Sequence, residues 1–381
     1  VEVFIKFVFI MQALILAAGK GERLRPLTET RPKVMLPVAN KPILQHNLEQ
    51  LSGIAEEIII VVGYKAGTIR KHFGSSFGGT KIRYVTQTEQ LGTGHAIRQA
   101  EKFLRDRFLV LMGDNLYSRH DIELCMHHDL CILVKPVENP SIFGVCMVSN
   151  GLLTDIVEKP KTPVSKLANA GLYVLDKRIF EHKPNLTARG EYEIVDSIKE
   201  VCRLAPMHAI EAADFDYITY PWDLLRVNES VLKKSGSVID KGAKISKDTR
   251  ISDPVAIGKG AELKNCVIRP YTCIGDSAVI GNFVEIKNSI IMENTKIPHL
   301  SYVGDSVIGS NCNFGAGTKI ANLRFDDKPV KTRVKGRVVD SGMRKLGCMM
   351  GDNVKTGINV SIMPGAMIPP GSYINPGSVF K

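Results

Sequence analysis

Two short strings carry residue types that can do chemistry. The first is LAAGKGERLRPLTETRPK, residues 16–33. Gly19 and Gly21 have no side chains, so backbone N–H groups there can approach phosphate oxygens closely. Arg23 and Lys33 add positive charge at a spacing that a closed loop would bring together. A GxG pair alone is more often a plain turn. The chain has neither the GxGxxG of a dinucleotide fold nor the GxxxxGKS/T of a P-loop. The second string, KIPHLSYVGDSVIG at 296–309, lies inside a long six-residue repeat of aliphatic residues. A structural repeat has no need of a histidine, yet His299 interrupts it and Tyr302 follows. A lone histidine on a turn is more often solvated than catalytic, so its surroundings must decide.

The elements that position these strings follow two rhythms. From Met11 to about Val227, short aliphatic runs alternate with helix-like segments. ALILAAG, EIIIVVG, KIRYVTQ and FLVLMGD read as buried strands, and PILQHNLEQLSG, AGTIRKHFG and GHAIRQAEKFLR carry helical spacing. Strands separated by helices imply a mostly parallel, doubly wound α/β sheet, whose ligands bind at the carboxyl ends of the strands. After Val238, aliphatic residues fall at every sixth position: Ile239, Ile245, Ile251, Ile257, Leu263. Five-residue steps restart the frame at Ile268, Ile291 and Ile308, and residues 321–349 interrupt it before Met350 resumes it. Such a repeat, with Gly, Asn, Asp and Pro between, predicts a parallel β-helix with three repeats per coil. The expected division is a nucleotide-handling domain at 11–227, a linker at 228–237 and the β-helix at 238–381.

Composition narrows the function classes. Fifty Lys and Arg against 39 Asp and Glu give a formal charge of +11. That suits an anionic partner, and the scattered basic residues favour a nucleotide or sugar phosphate over nucleic acid. The eight cysteines lack zinc-ligand spacing, which fits reduced thiols in the cytoplasm. No apolar run reaches the roughly 18–20 residues of a membrane span. Residues 1–10, VEVFIKFVFI, read as an upstream extension with the native start at Met11; an extra edge strand is the competing reading.

The N-terminal half resembles the sugar-1-phosphate nucleotidylyltransferase family. After the glycine string come QTEQLGTGHA (87–96), LMGDN (111–115), IFGVCMV (142–148), IVEKP (156–160), NAGLYVL (169–175) and GEYEIVDSI (190–198), all in the family's order. The resemblance implies that Leu16, Ala17, Ala18, Gly19 and Gly21 line the nucleotide site. Arg23 and Lys33 would hold the triphosphate and stabilise the transition state, and Gln87, Gly92 and Thr93 would read the base. Gly144, Glu158 and Asn169 would hold the sugar hydroxyls, with Lys159 near its phosphate. Asp114 would bind Mg2+. The second metal ligand is open: the family's W-x-D-x-G-x-P segment is replaced by DFDYITYPWDLLRVN (214–228), with Tyr217 at the aspartate position. Asp223 is slightly favoured over Asp216, and either can equally be a capping or surface acid. Trp222 reads as a packing residue.

The C-terminal half adds FVEIKNS (283–289), PHLSYVGDSVIG (298–309), NFGAGT (313–318) and ANLRFDDKPVKT (321–332). From Met11 onward the chain resembles the bifunctional N-acetylglucosamine-1-phosphate uridylyltransferase / glucosamine-1-phosphate acetyltransferase family, in its archaeal form. This implies a left-handed β-helix, a homotrimer, and acetyl-CoA and UTP as co-substrates. His299 becomes the general base that deprotonates the attacking amine. Tyr302 and Asn313 would orient the sugar, and Arg269 and Lys287 would meet its phosphate. Asn322 and Lys331 would serve a site shared between subunits, and Gly315 and Ala316 would line the thioester channel. The family's C-terminal tail, which helps hold CoA, has no counterpart before Lys381, and this lowers the CoA affinity expected. Two rivals remain: a single-activity glucose-1-phosphate nucleotidylyltransferase using UTP or dTTP, with the β-helix only for assembly, and a regulatory subunit without catalysis. The sequence leaves glucosamine versus galactosamine, and UTP versus dTTP, open.

Overall fold

A computed structural model describes residues 11–381, and the question of strand or extension at 1–10 lies outside them. The described residues form two compact units, one of residues 11–20 and 43–216, the other of 21–42 and 217–381. Two differences from the expected division follow. Residues 21–42, which begin inside the glycine-containing string at 16–33, group with the β-helix. The stretch expected as a linker is mostly helix, because α6 spans Asp223–Ser235. That helix buries Leu224, Leu225, Val227, Asn228 and Leu232, so one face has packing partners, which a linker would not have.

The first unit is built on ten strands: β1 (Met11–Ala17), β2 (Ala55–Val62), β3 (Ser76–Phe77), β4 (Thr80–Thr86), β5 (Arg107–Met112), β6 (Cys131–Pro136), β7 (Gly144–Ser149), β8 (Leu152–Glu158), β9 (Leu167–Asp176) and β10 (His208–Glu211). Their order is β7-β8-β10-β6-β9-β5-β1-β2-β4-β3. The expected strands and helices are present, with α1 at Ile43–Leu51, α2 at Ala66–Phe73 and α3 at Thr93–Gln99. β5, β1, β2 and β4 are parallel neighbours. β9 runs antiparallel to β5 and β6, and β7 is antiparallel to β8. Parallel pairing is thus confined to the central strands and the β6–β10 pair. For β7 and β8 the reason is local: Asn150 and Gly151 both take positive φ and close a tight hairpin, where a parallel connection would need a long crossover.

In the second unit the six-residue repeat forms the stacked coils. Ile239, Ile257, Ile274, Ile291, Ile308, Met350 and Ile368 succeed one another in register along one sheet. Ile251, Ile268, Ile286 and Val303 do the same along another, continued by Ile320, Ile362 and Phe380. These side chains make one apolar core, in which Ile257 through Ile368 are almost wholly buried. Corners take positive φ, at Asn265, Asn288, Asn294, Asn311, Asn353 and Asn359 among others. Asparagine tolerates that region better than other side chains, which explains its recurrence between the aliphatic positions. The interruption at 321–349 contains a hairpin, Lys331–Val334 with Arg337–Asp340, turned by Lys335 and Gly336 at positive φ.

Candidate functional site

In the first unit the carboxyl ends of β5, β1 and β2 carry residues with small or no side chains. The Gly113 N–H donates to the Leu16 carbonyl at 2.9 Å, and the Tyr64 N–H to that of Ala18 at 3.1 Å. A methyl group at Gly63 would fall 2.9 Å from the Ala18 oxygen. Leu16, Ala17 and Ala18 are buried, while Gly19 is exposed with open space above it. Main chain is therefore the accessible surface where a doubly wound sheet binds its ligand.

Asp114 follows β5 directly and is half-buried. The next strand, Asn115–Tyr117, pairs with Phe215–Tyr217, so Asp216 lies on the strand beside the one that Asp114 immediately precedes. Asp216 is 8% exposed. Asp223 is placed otherwise. It opens α6, and its Oδ2 accepts the N–H groups of Thr219 at 2.7 Å and Tyr220 at 2.8 Å. It thereby holds the loop that leads into the helix, whose N-cap residue, Trp222, makes no side-chain capping bond. Asp114 and Asp216 are thus brought to one pair of strands. Two carboxylates are hard oxygen donors that fit Mg2+, which takes its other ligands from water and phosphates. Trp222 is buried and stacks on Tyr220 with ring centroids 4.7 Å apart.

The segments at 87–96 and 190–198 meet. The Gln87 amide, nearly buried, donates to the Gly92 carbonyl at 3.2 Å and lies 3.0 Å from His95 Nδ1, which closes the loop on itself. Gly92 has φ 94°, and a methyl there would fall 2.6 Å from the Tyr192 oxygen. The Gly94 N–H donates to that same carbonyl at 2.7 Å. Thr93 Oγ1 accepts from the Ile194 N–H at 3.0 Å and donates to Glu193 at 3.2 Å. Gly144 lies opposite Glu158, and a methyl at Gly144 would fall 3.2 Å from Glu158 Oε2 and 3.4 Å from Asn169 Cβ. Asn169 donates to the Tyr173 hydroxyl at 2.7 Å. Burial raises the Glu158 carboxyl above its ordinary value, against the pull of Lys159 at 2.6 Å. Arg189 reaches Glu193 at 2.7 Å and Glu158 at 3.9 Å. Glu193 and Arg189 were missed in the sequence, although both lie in or beside the GEYEIVDSI string; single acidic and basic residues there look like a solvated helix start.

In the second unit the string closes as its glycines imply. Gly21 has φ 63°, and a methyl there would fall 3.0 Å from Lys33 Cβ. Thr28 Oγ1 donates to the Gly21 carbonyl at 2.8 Å. Lys33 Nζ donates to the Ile218 carbonyl, and Arg23 is exposed.

On the β-helix, Arg269, Lys287, Gly304 and Ala321 each follow an interior aliphatic on successive coils of one sheet. Asp305, 3% exposed, is the hub. Its carboxylate accepts from Asn288 at 2.8 Å and from Asn322, and lies 3.5 Å from Lys287 Nζ. Asn322 also donates to the Tyr302 hydroxyl at 3.3 Å. A methyl at Gly304 would fall 2.5 Å from that hydroxyl oxygen. Burial, and then the Asp305 charge, raise the Tyr302 phenol. Arg269 pairs with Glu285 at 3.0 Å. His299 is exposed at the end of its strand, and its carbonyl accepts from Gly317 N–H at 3.3 Å, so Ala316 lies one coil beyond it. Tyr302, Asn322 and Lys287 are thus gathered around Asp305, a residue the sequence presents only as one more corner in VGDSVIG. Asn313 is not with them: it bridges Lys296 and Lys355 on a different sheet. Lys331 is exposed on the excursion hairpin.

Residues 12–223 match the nucleotidyl transferase family, and residues 264–375 the GMPPB C-terminal domain. The bifunctional protein GlmU of Methanocaldococcus jannaschii is 44% identical over 378 residues, covering 93% of this chain and 91% of that protein. A bifunctional sugar-1-phosphate nucleotidylyltransferase/acetyltransferase of Sulfurisphaera tokodaii is 41% identical over 388 residues, covering 93% of each. A solved UDP-glucose pyrophosphorylase complexed with UDP-glucose superposes with a TM-score of 0.53 at 25% identity, over 59% of this chain and 99% of that one. A nucleotidyl-transferase sheet, a hexapeptide β-helix with its own polar cluster, and relatives aligned along nearly the whole length place this chain in the GlmU family of bifunctional sugar-1-phosphate nucleotidylyltransferases/acetyltransferases.

Proposed function

We propose that the protein acetylates glucosamine-1-phosphate with acetyl-CoA and then couples the product to UTP, giving UDP-N-acetylglucosamine and pyrophosphate. The observation that carries the acetyl-transfer half is the Lys287–Asp305–Asn322–Tyr302 cluster, whose Tyr302 follows His299 by three residues. An assembly-only β-helix has no use for a buried carboxylate holding two polar side chains beneath a glycine. In this reading the His299 imidazole takes a proton from the amine as its nitrogen attacks the thioester carbonyl. The C–N bond forms, the C–S bond breaks, and CoA leaves as the thiol. Lys287 and Arg269 meet the sugar phosphate, Tyr302 and Asn322 orient the ring, and Gly315 and Ala316 leave room for the thioester. Asn313 and Lys331 serve a neighbouring copy's site in a homotrimer, consistent with their positions away from Tyr302.

In the uridylyl half, the sugar phosphate oxygen attacks the α-phosphorus of UTP and pyrophosphate leaves. Lys33, Arg23 and the main chain at 16–21 carry the charge that builds on oxygen. Gln87 holds the base-reading loop in shape, Gly92 and Thr93 line it, and Gly144, Glu158, Lys159 and Asn169 hold the sugar. Mg2+ on Asp114 and Asp216 would neutralise phosphate charge when bound. Among the described residues no helix is long and apolar enough to cross a membrane, and the eight cysteines are free thiols, which supports a cytoplasmic setting.

Thiol release from acetyl-CoA, with glucosamine-1-phosphate and galactosamine-1-phosphate in parallel, tests the first half. Release is expected with glucosamine-1-phosphate, and His299→Ala should lower it by about 10²–10⁴-fold. A folded wild-type protein that releases no thiol with either sugar would reduce the β-helix to an assembly device. Pyrophosphate release with UTP and with dTTP ranks the nucleotides.

A further inference from the structure

The loop that carries Lys33 is tied to the coils of the β-helix. Residues 21–42 and the coils belong to one compact unit. Two residues before Lys33, the Arg31 guanidinium reaches Asp352 at 3.1 Å, Glu293 at 3.1 Å and the Ser310 hydroxyl. The Thr30 hydroxyl donates to the same Asp352 oxygen at 2.7 Å. The other Asp352 oxygen accepts the Ser310 N–H at 2.7 Å, so the carboxylate is itself fixed by the coil. The pair is no loose surface contact: the Arg31 side chain is 15% exposed and that of Asp352 10%. Burial alone would raise the Glu293 carboxyl, but Arg31 and the Ser310 hydroxyl hold it below its ordinary value. Past Lys33 a second tie follows. The Ala39 N–H donates to Asn228 at 2.8 Å, Asn40 donates to the Ile274 carbonyl at 2.7 Å, and Asn228 donates to the Tyr271 carbonyl at 2.8 Å.

We infer that Arg31 is a positioning residue for uridylyl transfer, held by Glu293, Ser310 and Asp352 of the β-helix so that the coils fix the loop that carries Lys33 within the same unit. The inference rests on the reading of Lys33 as a triphosphate contact. The ties on both sides of Lys33 leave it little freedom to retreat, and a displacement of about 1 Å in such a group can cost about 100-fold in rate. None of the three holding residues belongs to the Tyr302–Asn322–Asp305 cluster or to His299, so acetyl transfer reports independently on the fold of the unit.

The test measures pyrophosphate release and thiol release side by side in the full-length protein for Asp352→Asn, Glu293→Gln, Arg31→Lys, Arg31→Met and Lys33→Ala. Asparagine at 352 still accepts the Ser310 N–H but loses the charge facing Arg31. Asp352→Asn and Glu293→Gln are expected to lower kcat/KM for UTP about 10- to 100-fold, mostly in kcat, with thiol release within twofold of wild type. Arg31→Lys should recover most of the activity that Arg31→Met loses. Full uridylyl activity in Asp352→Asn, Glu293→Gln and Arg31→Met, beside an inactive Lys33→Ala, overturns the positioning role. So does a parallel fall of both activities, which marks a purely structural tie. If Asp352→Asn does not fold, Glu293→Gln, whose site is 43% exposed, decides alone. An active Lys33→Ala overturns instead the role given to Lys33.

Discussion

At the residue scale, the two sites rest on carboxylates with different tasks. Asp305 is buried and holds Lys287, Asn288 and Asn322, so removing its charge should loosen the sugar-phosphate subsite without touching His299. Asp305→Asn is expected to raise the KM for glucosamine-1-phosphate at least tenfold in the thiol-release assay, with pyrophosphate release unchanged. Asp216 and Asp223 separate the same way. Asp216→Asn should abolish Mg2+-dependent pyrophosphate release, whereas Asp223→Asn should leave it and lower the melting temperature, because the N–H groups of Thr219 and Tyr220 lose a charged acceptor. Glu158 offers a pH test. Burial raises its carboxyl, so the folded protein takes up that proton above the ordinary value of about 4.3. The ionised form is the one that accepts sugar hydroxyls. As pH falls, the KM for N-acetylglucosamine-1-phosphate should therefore climb at a higher pH than an unperturbed carboxylate allows, and Glu158→Gln should remove the inflection.

At the element scale, the β-helix depends on its interior ladders. Ile297 is fully buried and in register with Ile280. Ile297→Ala should destabilise the protein by about 2–5 kcal/mol, read as a lower urea midpoint, because neighbouring coils cannot collapse onto the space. The five-residue steps that reset the repeat are shortened corners between sheets, so the aliphatic frame survives them. The excursion leaves and re-enters where the acetyl-transfer cluster sits: the Leu346 N–H donates to the Asn322 carbonyl at 2.9 Å and the Gly347 N–H to that of Asp305 at 2.8 Å. Its composition broke the repeat and marked it as an insertion, but nothing in it announced a hairpin except Lys335-Gly336, a turn pair whose first member is unusual at positive φ.

At the scale of the whole molecule, the shared-site reading makes a prediction that single chains cannot meet. Lys331 lies on the exposed hairpin, and Phe325, beside it in the excursion, is fully exposed. In a homotrimer whose hairpin completes a neighbour's site, His299→Ala and Lys331→Ala subunits should each be inactive as pure trimers. Mixed trimers refolded together should regain measurable thiol release, since some sites receive an intact histidine from one chain and an intact lysine from another. No recovery on mixing would confine each site to one chain.

The sequence by itself determined the two rhythms and the interior ladder of the β-helix. Periodicity follows from backbone geometry, and glycines mark places where main chain must approach something closely. It could not determine which half the string at 21–42 belongs to. Chain order placed it with the sheet, while Arg31 and Asn40 found partners on coils hundreds of residues away. Nor did it show which N–H groups Asp223 holds, or show Asp305 as a hub. Such roles are set by which donors surround a carboxylate once distant strands are stacked. Only the tertiary structure brings Lys287, Asn288 and Asn322 around Asp305, or turns the Asp223 oxygen toward the N–H groups of Thr219 and Tyr220.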